Sequence, residues 1–136
     1  EDFIYASCLE NNGIRKAPVT SSNLIDYQNW EVVWASSWQS IESNEDRLFS
    51  INTNRKLYEV IGGSINELFY YPSLPLDLRS VNSNLVVTTR SEVYVYDTNF
   101  SIVAQIPVNT DFNTQFTSAI IDTESIFIGT IGFLIF

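Results

Sequence analysis

The stretch LDLRSVNSNLVVTTRSEVYVYD, Leu76 to Asp97, holds three short apolar segments parted by polar turns, and this arrangement recurs along the chain. Its middle segment, LVVTT from Leu85, has counterparts in FIYAS from Phe3, LFSIN from Leu48 and IFIGT from Ile126. Each of these is followed by a companion: GIRKA from Gly13, KLYEV from Lys56, EVYVYD from Glu92 and GFLIF from Gly132. A repeat of about 40 residues built from short strands is the signature of β-propeller blades.

Working outward, Ile41 in WQSI, Leu78 in LDLRSV and Ala119 in FTSAII precede Leu48, Leu85 and Ile126 by the same distance, which adds a strand before each middle segment. SSNLIDYQ, INELFYYP and FSIVAQIPV carry apolar residues between polar or proline-containing flanks and supply the fourth strand. The expected fold is therefore all-β, a β-propeller with about three to four antiparallel four-stranded blades. The approximate blade units are 1-35, 36-73, 74-113 and 114-136. The first residues read as a second strand and the last as a third strand, so the sequence is expected to be an excerpt of a larger propeller.

Composition agrees with this class: hydrophobic residues make up 45%, aromatic residues 14%, and Asn, Ser and Thr crowd the gaps between apolar runs. Strands such as LVVTT and IFIGT are apolar at successive positions, which fits sheets covered on both faces by neighbouring blades. No apolar run reaches the roughly 20 residues of a membrane-spanning helix. The net charge of −9 argues against nucleic acid, whose affinity for proteins comes largely from counterions released by Lys and Arg. Spread along the chain, this acidity reads first as a soluble surface, and only second as a site for a cation or a basic partner.

The absence of histidine removes the commonest general base and the commonest metal ligand from this segment. Ser-His-Asp, Cys-His and zinc arrangements are excluded, and neither GGS at Gly62 nor IGT at Gly129 is more than a turn or strand glycine. The lone Cys8 has no intramolecular partner for a disulfide and reads as a packing residue. No catalytic residue, metal ligand or cofactor is expected.

Candidate ligand contacts are Asp77, Arg79, Trp34 and Trp38. Asp77 shares a strand with Arg79 between Leu76, Leu78 and Val81, and a strand lining a central channel would present it to water. A purely structural role is its plainer reading, and two acids at a suitable separation are what glycoside hydrolysis would need. Asp97 instead opens the turn Asp97-Thr98-Asn99, where its side chain can bond the backbone. Trp30, Trp34 and Trp38 invite a sugar-stacking reading, against which stands a packing one: Trp38 in a blade core, Trp30 and Trp34 at a blade junction. The turns Leu9 to Asn12, Thr53 to Arg55 and Arg90 to Ser91 are expected on one face of the array.

The run DFIYASCLENNGIRKAPVTSSNLIDYQNW, then SWQSI, LDLRSVNSNLVVTTRSEVYVYD and FTSAIIDTESIFIGT, resembles the N-terminal propeller of PorZ-type proteins from Bacteroidetes. NGIRKAP with the downstream NLIDYQNW is the particular feature; the other strands recur more broadly among two-component regulator propellers. The resemblance implies a non-enzymatic component of the cell-surface attachment complex of the type IX secretion system. Its implied location is the cell surface, on the outer membrane. It implies as partners a sortase-like protease and an outer-membrane barrel protein, and a part in supplying anionic lipopolysaccharide to secreted cargo. The alternatives are a periplasmic sensor propeller of a hybrid two-component regulator, a propeller glycosidase or lyase, and a glycan-binding propeller that would depend on Trp34 and Trp38.

Overall fold

The computed structural model describes residues 2–108 and 114–132. These described residues form thirteen strands and one short 3₁₀ turn, Tyr27–Asn29. The first sheet comprises β1 (Phe3–Cys8), β2 (Gly13–Pro18) and β3 (Glu31–Trp34). The second comprises β4 (Trp38–Asn44), β5 (Arg47–Asn52), β6 (Lys56–Ile61) and β7 (Ser64–Tyr70). The third comprises β8 (Pro75–Val81), β9 (Asn84–Thr89), β10 (Glu92–Tyr96) and β11 (Ile102–Pro107), and the fourth β12 (Gln115–Ile121) and β13 (Ile126–Ile131). Every sheet is an antiparallel meander in chain order. The fold is all-β, in four separate sheets. Most of the GFLIF segment lies outside the described residues.

Local chemistry fixes the turns. Asn82 and Ser83 join β8 to β9 with φ of 49° and 64°, and Gly62 and Gly63 join β6 to β7 with φ of 52° and 92°. Both central residues of such two-residue loops must adopt positive φ to match the twist of the flanking strands. Asn52 Oδ1 accepts from the N–H groups of Asn54 and Lys56, and Thr89 Oγ1 from those of Ser91 and Glu92, so equivalent turns are held by equivalent side-chain oxygens. Asp97 Oδ1 accepts from Asn99 and Ser101 N–H, as its place in the sequence suggested.

One strand lies elsewhere than expected. SSNLIDYQ is a loop leading into the 3₁₀ turn, and the third strand of the first sheet is Glu31–Trp34. Side chains in this segment satisfy its own backbone: Asp26 Oδ1 accepts from Gln28 N–H, Asn29 Nδ2 donates to Asn23 O, and the Trp30 indole donates to Leu24 O. Such local bonds compete with a strand ladder. Ile25, 98% exposed, has no core to enter.

The middle strands of the third sheet, β9 and β10, are buried on both faces. Leu85, Val87, Tyr94 and Tyr96 point toward Phe49, Ile51 and Leu57 of the second sheet, while Val86, Val93 and Val95 meet Phe116 and Ala119 of the fourth. A third, smaller core joins Ile14 of the first sheet to Trp38 and Val60 of the second. Backbone approach between neighbouring sheets is concentrated at their first two strands: β4 and β5 lie against β8, and β12 lies against β8 and β9. The last strands β7 and β11 have little backbone approach to neighbouring sheets, although Phe69 of β7 reaches Tyr94 of the third sheet at 5.7 Å.

Two positions make the packing testable. A Cβ at Gly13, whose φ is +83°, would stand 2.4 Å from the Trp34 carbonyl oxygen; Thr88 Oγ1 is buried with no hydrogen-bond partner among the described residues. In urea unfolding, Gly13→Ala should therefore cost about 2 kcal/mol, whereas Thr88→Val should gain about 1 kcal/mol by removing an unsatisfied hydroxyl without changing its shape.

The hydroxyls of Tyr71 and Tyr96 meet at 3.0 Å inside the core between the second and third sheets. Burial pushes Tyr71 well above the usual phenol range and Tyr96 up to about 12. Unfolded phenols ionise near pH 10, so between pH 10 and about 12 the unfolded chain holds fewer protons than the folded one, and stability falls as pH rises. The urea midpoint should be flat up to about pH 9.5 and decline above it. Tyr96→Phe should lessen that decline.

Candidate functional site

The first strands of the sheets carry the polar side chains that stand together. On β8, Asp77 and Arg79 are two positions apart and share a face; Arg79 Nε donates to Asp77 Oδ2 at 2.7 Å. The bond to Asp77, with a further contribution from the charge of Glu42 on β4, raises the Arg79 pKa. Arg79 is thus acted on by carboxylates from two adjoining first strands. Asp77 is three-quarters covered, and half of the Arg79 side chain reaches solvent. Arg79 also borders a small cavity of about 290 Å³ with Ser118, Ile120, Phe127 and Gly129 of the fourth sheet.

A larger groove of about 990 Å³ opens between the first and second sheets. Its walls combine apolar residues, among them Phe3, Tyr5, Val32, Ile41, Leu48 and Val60, with Lys16, Glu31, Glu42, Asp46, Arg47 and Glu59. Lys16 pairs with Glu31 at 3.5 Å and Arg47 with Glu59 at 2.6 Å. Arg47 is held further by the Phe49 and Phe100 rings, at 5.0 Å and 4.7 Å, and by the Thr98 carbonyl. Both groove cations are therefore committed. Glu42 and Asp46 have no ion pair among the described residues, so the groove carries surplus negative charge.

The structure brings together only part of the site read from sequence. Asp77 and Arg79 form an ion pair. Trp34 lies on the last strand of the first sheet, 37% exposed. Trp38 is 1% exposed in the third core, edge-on to Tyr58 with its indole donating to Ala35 O, so no face of its ring is open to a ligand. These four residues do not converge. The groove was missed because its charges come from five strands and a turn whose spacing in sequence reveals nothing of their juxtaposition.

Among the described residues there is no group of three or more His, Cys, Asp or Glu side chains able to hold a metal. No described helix is long and apolar enough to cross a membrane. Compared with known proteins, the chain matches no family model, and no curated protein matches it.

The two tryptophans should separate sharply by mutation. Trp38→Ala should cost about 3–5 kcal/mol of unfolding free energy in urea, and Trp34→Ala less than about 1 kcal/mol. Only Trp34→Ala is then a usable probe of ligand binding, because its fold survives. Equal costs would contradict the placement of the two rings.

Proposed function

We propose that the four sheets are successive blades of a β-propeller and that the chain is a non-catalytic binding scaffold. The observation that carries this reading is the repeated antiparallel meander whose early strands lie nearest the neighbouring sheets. An angular array of this kind is a rigid frame whose turns form two opposed recognition faces. Burial of the third sheet on both sides supports it, since a blade in a propeller is covered by the blade before and the blade after.

Within that class, the resemblance carried by NGIRKAP and NLIDYQNW supports a role in the cell-surface attachment complex of the type IX secretion system. There the scaffold would act beside a sortase-like protease and an outer-membrane barrel protein, helping to supply anionic lipopolysaccharide to cargo. Trp34 is the tryptophan whose exposure suits contact with a sugar ring. The surplus acid in the groove suits a basic or neutral protein segment better than the anionic part of a lipopolysaccharide.

In-frame deletion of the gene in its host tests this role. Cargo should leave the surface and lose the ladder of lipopolysaccharide-modified forms on denaturing gels. Unchanged surface cargo with an unchanged ladder would overturn the secretion role.

A further inference from the structure

We infer that Arg55 and Arg90 form a docking site for an acidic peptide segment of a protein partner. The chain has 16 acidic residues against 7 basic ones, and Lys16, Arg47, Lys56 and Arg79 each pair with a carboxylate. Arg15, Arg55 and Arg90 have no ion pair among the described residues. All three stand at the same end of the sheets. Arg15 Nε donates to Asn12 O in the turn after β1, Arg55 lies in the turn after β5, and Arg90 in the turn after β9. Gly13 and Thr53 N–H donate to Ser36 O and Ser37 O of one connector, which joins the first two of these turns.

A second connector holds Arg55 and Arg90 near each other. The Arg55 carbonyl accepts from Tyr71 N–H at 2.8 Å, Arg55 Nη1 donates to Pro72 O at 2.9 Å, and Arg90 N–H donates to Leu74 O at 3.2 Å. Four extended residues span at most about 14 Å, a gap that two arginine side chains can bridge toward one ligand. Both side chains are exposed. Arg55 has φ of 66°, a left-handed conformation that Gly or Asn takes more readily. Its guanidinium lies over the Tyr70 ring at 5.0 Å from the centroid, so it is oriented rather than left loose in solvent. A guanidinium has five N–H donors, and the bond to Pro72 leaves most of those of Arg55 for a ligand.

The opposite end of the sheets repels the same ligand. Asn44 Nδ2 donates to Ser83 O and Arg47 Nη1 to Thr98 O, so turns of the second and third sheets meet there. They carry Glu45, Asp46 and Asp97, the fourth sheet adds Asp122 and Glu124, and none of these turns holds Lys or Arg. The field across the sheets therefore steers an anion to the arginine end. A planar carboxylate matches the guanidinium fork. Tyr70 is the exposed ring beside the site that could stack a sugar, and Arg55 already covers one face of it, which favours an acidic peptide over an anionic saccharide. The site is built from the second and third sheets alone and needs neither the blade reading nor the secretion role.

The probe is a capped peptide, Gly-Glu-Ser-Glu-Gly, whose two carboxylates share one face when the chain is extended. It is titrated into the 136-residue chain and followed by amide chemical shifts. Shifts should concentrate at Arg55, Tyr70, Ser73 and Arg90. Arg55→Asn, which suits the left-handed turn, and Arg90→Gln should each keep the fold and weaken binding about tenfold. Arg90→Lys should weaken it several-fold, since it keeps the charge and loses the fork. A peptide with Gln in place of both Glu should not bind, and digalacturonate, a disaccharide with the same two carboxylates, should bind more weakly than the Glu peptide. Binding that survives Arg55→Asn and Arg90→Gln, equal binding by the Gln peptide, or no binding at millimolar peptide would overturn the site. Digalacturonate binding as tightly as the peptide would overturn the choice of ligand. None of these results bears on the surface-cargo phenotype, so the two accounts fail separately.

Discussion

The structure depends on one constraint: the middle strands of the third sheet, β9 and β10, are apolar on both faces. Leu85 and Val87 point one way and Val86 the other, and on the next strand Tyr94 and Tyr96 oppose Val93 and Val95. Neither face tolerates water, so a sheet must lie on each side, and chain order makes these the second and fourth sheets. Tyrosines on the side facing the second sheet keep this core apolar in bulk yet pair the hydroxyls of Tyr71 and Tyr96. An unpaired phenol there would carry the desolvation cost of a buried polar group.

Rigidity at this centre positions the polar residues around it. β8 is the first strand of the doubly covered sheet, so the Asp77–Arg79 pair is mounted on one of the best-supported parts of the molecule. The interface between the first and second sheets is less complete: its buried core is Ile14, Trp38 and Val60, and the large groove opens beside it. Arg47, clamped between two rings and bound to Glu59, ties the second sheet to the third while it lines that groove.

Much of the frame was legible in sequence because it rests on local rules. The recurrence of Phe3, Leu48, Leu85 and Ile126, the two-residue turns, and the unbroken apolar run LVVTT each reflect backbone geometry or burial that neighbouring residues determine. Where side chains competed with the backbone, periodicity misled: SSNLIDYQ has strand-like apolar residues, but Asp26, Asn29 and Trp30 close it into a loop. The candidate site was less legible. Asp77 and Arg79 are paired because two positions along a strand share a face, a relation readable at once. The groove joins Lys16 to Glu31 and Arg47 to Glu59 through strand order alone, and the four-residue spacing of Trp34 and Trp38 hid that one is exposed over about a third of its surface, 37%, and the other buried.

The most direct test of the central claim is amide hydrogen exchange on the folded chain. If the third sheet is sealed on both sides, the amides of β9 and β10 should exchange most slowly, near the rate of global unfolding, and those of β1 and β3 should exchange fastest among the strands. Uniform exchange across the four sheets, or slowest exchange in the first, would contradict an architecture built outward from the third.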